Sequence, residues 1–289
     1  MAVMKLDHLP QDCISLIQSF LSPRDACRSS LISTATRSAA NSDTVWESLL
    51  PPDYCKILSR TACPVTNCSK KELFFILCNP FLIDGGTKAF WVEKSTGKKC
   101  YALCARELSI TWAGNPFYWA WKPHHRSRFA EVAELRTTWW LEIQAKMKTK
   151  QLSPRTDYAA YLVVMFEDRA YGLNTLPAET SLQVGTYKSQ ATIHLHHQPG
   201  HIKQSPGHLL FTNQIGSQKS WRSVRNLKEE EEERLFQRED GWIEIKLGEF
   251  YIGQSGGDEE EVKVSLTEVK GVHLKAGLTV ESVEIRPKQ

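Results

Sequence analysis

Four indole and phenol side chains crowd one short stretch of the chain. Trp112, Tyr118, Trp119 and Trp121 lie within residues 110–121, around the turn Gly114-Asn115-Pro116. Indole and phenol rings offer broad apolar faces, a polar edge and few rotors to freeze. Such a cluster suits the capture of a ligand with a flat apolar face. The opposing reading is that strand alternation buries some of these rings. Other chemistry is less well served. The eight cysteines lie between Cys13 and Cys104, and Cys55, Cys63, Cys68 and Cys78 lack the close pairing that structural zinc requires. His194 and His196 share a strand face and, with His197, His201 and His208, form a histidine-rich patch. No cysteine or carboxylate spacing completes a metal set there, so a surface loop is expected. There is no Gly-x-Ser-x-Gly elbow, phosphate-loop lysine or HExxH, and the expectation is a non-catalytic chain without metal or cofactor.

These residues need a scaffold, and the pattern supplies two kinds. The chain has 289 residues, 41% of them hydrophobic and 24% charged, with a net charge of +3. That is globular composition with no global field for nucleic acid. Residues 86–227 hold 19 basic and 9 acidic side chains, whereas 228–289 hold 9 and 16, which predicts a polarised surface. No apolar run is long enough to span a membrane and no signal peptide is evident, so cytoplasm or nucleus is expected.

The first fifty residues read as helices. Cys13, Ile14, Ile17, Phe20 and Leu21 recur at helical spacing after Pro10. Ser22-Pro23-Arg24-Asp25 reads as an N-cap, a first-turn proline and an acidic third residue, opening a helix expected to run to Ala40. A third helix is expected from Thr44 to Leu50, closed by Pro51-Pro52. Residues 53–85 read as a linker with a short helix from Lys71 to Cys78. Asp84-Gly85-Gly86 is a turn.

From Phe90 onward the period changes to two. Ala133 to Lys146 alternates throughout, which predicts one long strand or two joined ones and puts Trp139 in the apolar register. Tyr158–Phe166, Trp242–Phe250, Val262–Leu266 and Leu278–Ile285 add further strands. The stretch 186–226 has weak periodicity and is expected to be the least ordered. Glu229 to Glu233 reads as a solvated loop. No strand–helix rhythm appears. The fold class is α+β: a small helical module at 1–52, then an antiparallel, jelly-roll-like β-sandwich at 86–289.

The segment LDHLPQDCISLIQSFLSPRDACRSSLISTATRSAANSDTVWESLLPPDY resembles a plant-type F-box. The segments ARELSITWAGNPFYWAW, SRFAEVAELRTTWWLEI, LSPRTDYAAYLVVMF, DGWIEIKLGEF and VESVEIRPKQ resemble, in order, the phloem protein 2 family of Nictaba-type lectins. Together they resemble F-box proteins of the phloem protein 2-B type. The F-box resemblance implies docking on the Skp adaptor of a cullin-RING ubiquitin ligase, with Leu9, Pro10, Ile14, Ile17, Leu21 and Pro23 facing the adaptor. Thr36 stands where this class usually has phenylalanine, which removes apolar contact. The lectin resemblance implies binding of N-acetylglucosamine-containing glycans. A sugar ring has a C–H face that stacks on an indole. Trp112 and Trp119 match the family's stacking tryptophans, Tyr118 and Trp121 flank them, and Glu244 is a candidate acceptor for sugar hydroxyls or amide.

Three functions are therefore weighed: a substrate receptor of the ligase, a cytosolic or nuclear lectin of defence or phloem without ligase function, and a glycan-processing enzyme. A receptor would supply proximity rather than chemistry.

Overall fold

A computed structural model describes residues 9–62, 67–195, 234–254 and 260–288. His196, His197, His201, His208, Cys63 and the run Glu229–Glu233 lie outside the described residues.

Four short helices open the chain: α1 (Gln11–Gln18), α2 (Pro23–Ser29), α3 (Thr34–Ala40) and α4 (Asp43–Leu49). Ser22 caps α2 as the sequence predicts, its hydroxyl accepting from the Asp25 N–H at 3.1 Å. The helix expected from Pro23 to Ala40 is two helices. Ser33 and Thr36 form a capping box that starts a new helix, with Thr36 Oγ1 accepting from the Ser33 N–H at 3.0 Å. Thr36 is buried, and its carbonyl accepts from the Gln18 side-chain amide at 3.1 Å. A threonine here thus supplies polar contacts that a phenylalanine could not make.

The described residues of 53–85 form α5 (Tyr54–Leu58), α6 (Lys70–Leu77) and the strand β1 (Phe81–Ile83). They are packed structure. Trp46 of α4 meets Phe74 and Phe75 of α6 with ring centroids 5.2 and 5.4 Å apart. One continuous hydrophobic core runs from Ala26, Val45 and Trp46 through Leu73 and Phe74 to Phe90, Tyr101 and the β-sandwich. Lys99 is buried, donates to both Asp53 carboxylate oxygens at 3.2–3.3 Å, and so ties α5 to the sheet.

Among the described residues the larger sheet holds nine antiparallel strands: β1, β2 (Lys88–Val92), β3 (Lys99–Cys104), β5 (Trp119–Lys122), β6 (Val132–Leu135), β8 (Thr156–Tyr171), β11 (Leu235–Gln237), β12 (Ile243–Ile252) and β14 (Ala276–Pro287). Its main path is β1-β2-β3-β14-β8-β12-β11, with β6 also pairing β14 and β5 pairing β6. The smaller sheet runs β10 (Tyr187–Ile193), β9 (Ala178–Val184), β13 (Glu261–Glu268), β7 (Leu141–Lys148) and β4 (Ser109–Ile110). Inward residues alternate cleanly along β7, where Leu141, Ile143, Ala145 and Met147 are buried. The sheets approach closely where Leu182 of β9 crosses Gly248 of β12. A Cβ on Gly248 would lie 2.8 Å from that of Leu182, so a larger residue would push the layers apart.

The stretch from Ala133 to Lys146 is not one strand. Its two parts, β6 and β7, belong to different sheets, and residues 136–140 carry the chain between them. This break takes Trp139 out of the apolar register.

Candidate functional site

The segment from Thr111 to Tyr118 also passes between sheets, from β4 to β5. Its path is fixed from beneath. The Trp119 indole N–H donates to the Thr111 carbonyl at 3.1 Å, and the Trp121 indole N–H donates to the Ala113 carbonyl at 3.0 Å. Asn115 shapes the turn, its carbonyl accepting from the N–H groups of Tyr118 and Trp119 and its side-chain oxygen from that of Phe117. Trp112 is held at φ +60°, a left-handed conformation that an aromatic residue adopts only under constraint.

The consequence is an outward aromatic platform. Trp112 lies 4.9 Å from Tyr118 and 5.3 Å from Trp139, and Tyr118 lies 6.0 Å from Trp139, all between ring centroids. Trp112 is 39% exposed and Trp139 44%. The segment bearing Trp139 is anchored at several points. Arg136 donates from its backbone to the Tyr118 carbonyl at 2.8 Å, and Thr138 exchanges backbone bonds with Lys275. The Lys275 ammonium donates to the Trp139 carbonyl at 2.7 Å and pairs with Glu268, both side chains being buried.

Glu142 joins the two aromatic segments. It accepts from the Trp140 indole at 2.9 Å, from the Thr111 hydroxyl at 3.0 Å and from the Gln144 amide at 2.7 Å. The Trp140 indole, more than the other donors, holds its carboxyl below the usual range, so it stays ionised. Three rings of mixed tilt, bordered by fixed polar groups, can stack on an apolar ring face and bond to its edge.

Two of the expected ligand-facing residues are corrected by this geometry. Trp119 is 2% exposed and packs in the core, because β5 turns it inward under the loop. Glu244 is buried in an ion-pair network with Arg238 and Arg286. Burial disfavours its charge, but the Arg286 and Arg238 guanidiniums outweigh that and hold it ionised. Each of its two oxygens is already bonded to a guanidinium, and its burial closes it to a ligand. Trp121 is half-buried, and the Arg106 guanidinium covers its ring at 3.7 Å. Trp112 and Tyr118 do come together, joined by Trp139, which the alternation placed in the core. Alternation does not reach Trp139, because it lies outside both strands, where the chain passes from one sheet to the other.

The helical module places its expected residues unevenly. Pro10 and Ile17 are exposed, whereas Leu9 and Leu21 are half-buried. Ile14 and Pro23 are buried, which corrects their assignment to an adaptor face: Pro23 lies under Gly97 of the β2–β3 turn. Leu16, Leu31 and Ile32, which the sequence reading does not single out, and Phe20, which it places on the apolar helical face but not toward the adaptor, are exposed, Phe20 by 82%. Gln18, bonded to Ser29 at 3.0 Å, holds α1 against the end of α2, next to the turn carrying Leu31 and Ile32. Four large apolar side chains in so small a module mark an interaction surface.

A short helical module fused through one core to a two-sheet antiparallel β-domain, each bearing its own exposed apolar or aromatic surface, defines a two-part α+β protein. Residues 6–51 match the F-box-like model, and residues 98–287 match the model of phloem protein 2. The chain belongs to the plant F-box proteins of the phloem protein 2-B type. It is 43% identical to F-box protein PP2-B15 of Arabidopsis thaliana, over 97% of this chain and 96% of that one. It is 39% identical to F-box protein PP2-B10, over 97% and 93%, and 40% identical to F-box protein VBF, over 97% and 99%, both from the same plant. It is thus an F-box protein of the substrate-recognition kind. No helix among the described residues is long and apolar enough to cross a membrane.

Proposed function

We propose that this chain is the substrate receptor of a Skp-cullin-F-box ubiquitin ligase in the cytoplasm or nucleus, and that it captures glycan-bearing targets. The helical module docks on the Skp-type adaptor with Phe20, Leu16, Ile17, Leu31 and Ile32 as its apolar contact. The β-domain takes an N-acetylglucosamine-containing glycan on Trp112, Tyr118 and Trp139. The observation that carries this reading is the three-ring platform, with Trp112 constrained and Trp139 supported by a buried ion pair. Exposed rings held this firmly gain little stability for the fold and suit a ligand instead. The single core through both modules keeps a captured target at a fixed position relative to the adaptor, which raises its effective concentration at the ligase.

Replacing Trp139 by Ala tests the glycan half. We expect an unfolding midpoint close to that of the native chain and roughly tenfold weaker binding to N-acetylglucosamine oligomers, the worth of one stacked ring. Unchanged binding removes the platform from the site. A pull-down with purified Skp adaptor, comparing the native chain with Phe20→Asp, tests the other half. A native chain that does not bind the adaptor leaves a lectin without ligase function.

A further inference from the structure

The junction of the two modules carries a pocket of about 480 Å3, a volume suited to a small organic ligand. Its walls are Pro23 and Cys27 of α2 and Phe74 and Phe75 of α6. Its rim is cationic. Arg24, Arg28 and Lys94 border it, with the Lys94 ammonium 5.9 Å from the Phe75 ring centroid. Arg28 approaches Asp25 only to 3.7 Å, and both side chains are more than half exposed, so that pair is loose. The carboxylate on the rim, Glu93, is turned into its own loop. It accepts from the Ser95 hydroxyl at 2.7 Å and from the Thr96 N–H and hydroxyl, each at 2.7 Å. Burial opposes its charge, but these hydroxyl and backbone donors hold it ionised and leave it little capacity to bond a ligand.

We propose that this pocket binds a small aromatic carboxylate. The ring would lie against Phe75 and the Pro23–Cys27 wall, and the carboxylate would meet Arg24 and Lys94. Apolar walls alone would accept any hydrophobe, and the three rim cations select the anion. The site is separate from the aromatic platform and does not depend on the glycan reading. Because its walls come from α2 and α6 and part of its rim from the β2–β3 turn, the ligand would bridge the helices and the β-domain.

The test uses the full chain and 2-naphthoate, with its neutral analogue 2-naphthylmethanol and its cationic analogue 2-naphthylmethylamine. We expect naphthoate to bind with a Kd on the order of 0.1–1 mM and the neutral analogue about tenfold more weakly, the amine weaker still. Cys27 reports the location, because it lines the pocket while Cys13 and Cys55 are exposed elsewhere. Saturating naphthoate should slow alkylation of Cys27 by N-ethylmaleimide about fivefold, read by mass spectrometry, without changing Cys13 or Cys55. Exchanging both Arg24→Glu and Lys94→Glu should abolish this protection while adaptor pull-down persists. Unslowed Cys27, equal slowing at all three thiols, or equal protection by the amine would overturn the proposal.

Discussion

Two three-ring clusters in this protein have nearly the same internal spacing and opposite surroundings. Trp46, Phe74 and Phe75 pack with centroids 5.2–5.7 Å apart at the junction, and Trp112, Tyr118 and Trp139 pack at 4.9–6.0 Å on the β-domain. Trp46 is fully buried and its indole N–H donates to the Ala40 carbonyl at 2.7 Å. Burial itself holds that cluster, because each ring removes apolar area from water. The outer rings gain much less from burial and are supported from beneath, by Trp119, the Trp121 indole and the Lys275–Glu268 pair. Ring spacing therefore does not separate a core from a binding surface. The separation lies in where the supporting energy comes from.

The strongest way to break this contrast is Trp46→Ala. The cavity left between α4 and α6 should cost about 3–5 kcal/mol, measured by denaturant unfolding. Because one core spans both modules, fluorescence from the β-domain and helical circular dichroism should lose their signals together. Two separate transitions in the native chain would show instead that the modules fold independently.

Lys275→Met probes the support of the outer cluster. The change leaves the Glu268 carboxylate buried without its cation, which should destabilise the chain by about 3–5 kcal/mol. Adding Glu268→Gln removes the orphaned charge and should restore much of that stability. It would not restore the ammonium that holds the Trp139 carbonyl, so glycan binding should stay weak in the double variant. Recovery of both together would reduce the pair to a purely structural role.

These contrasts also explain what could be read from the sequence. The helical start, the Ser22 cap, the change to period two and the inward face of β7 depend on neighbours within a few residues, and they were legible. The break at Ser33 depends on the same local rules. Its signal is the Ser33–Thr36 pair, in which Thr36 is the third residue of a capping box and not only a lost apolar contact. Trp119 and Trp139 are a different matter. Each sits next to a point where the chain changes sheets, and alternation gives a face only within one sheet. Glu244 is paired with Arg286, 42 residues away, and no local pattern announces that partner. Pro23 is buried by the β2–β3 turn, so its exposure depended on how the two modules meet.

The smallest expected effect concerns the ion pair at the weld between modules. Arg60, at the end of α5, donates from two nitrogens to Asp84 at 2.7 and 2.8 Å, and Lys88 adds a third donor at 3.1 Å. The Arg60 bond is the main cause that lowers the Asp84 carboxyl from 3.8 to about 2, against a smaller opposing effect of burial. In the unfolded chain this carboxyl takes up its proton first as the pH falls. Its contribution is therefore present above about 3.8 and is lost as the pH drops through about 2. Both side chains are partly exposed, so solvent screening limits the contribution to about 1 kcal/mol or less. Asp84→Asn should lower stability at neutral pH by that small amount and flatten the loss between pH 4 and 2, followed by unfolding at stepped pH. An unchanged acid slope would assign the acid sensitivity to other carboxylates, Glu142 beneath the platform among them. Its range is also lowered, by the Trp140 indole. Glu142→Gln would then flatten the slope where Asp84→Asn did not, moving the acid-sensitive point from the junction to the aromatic surface.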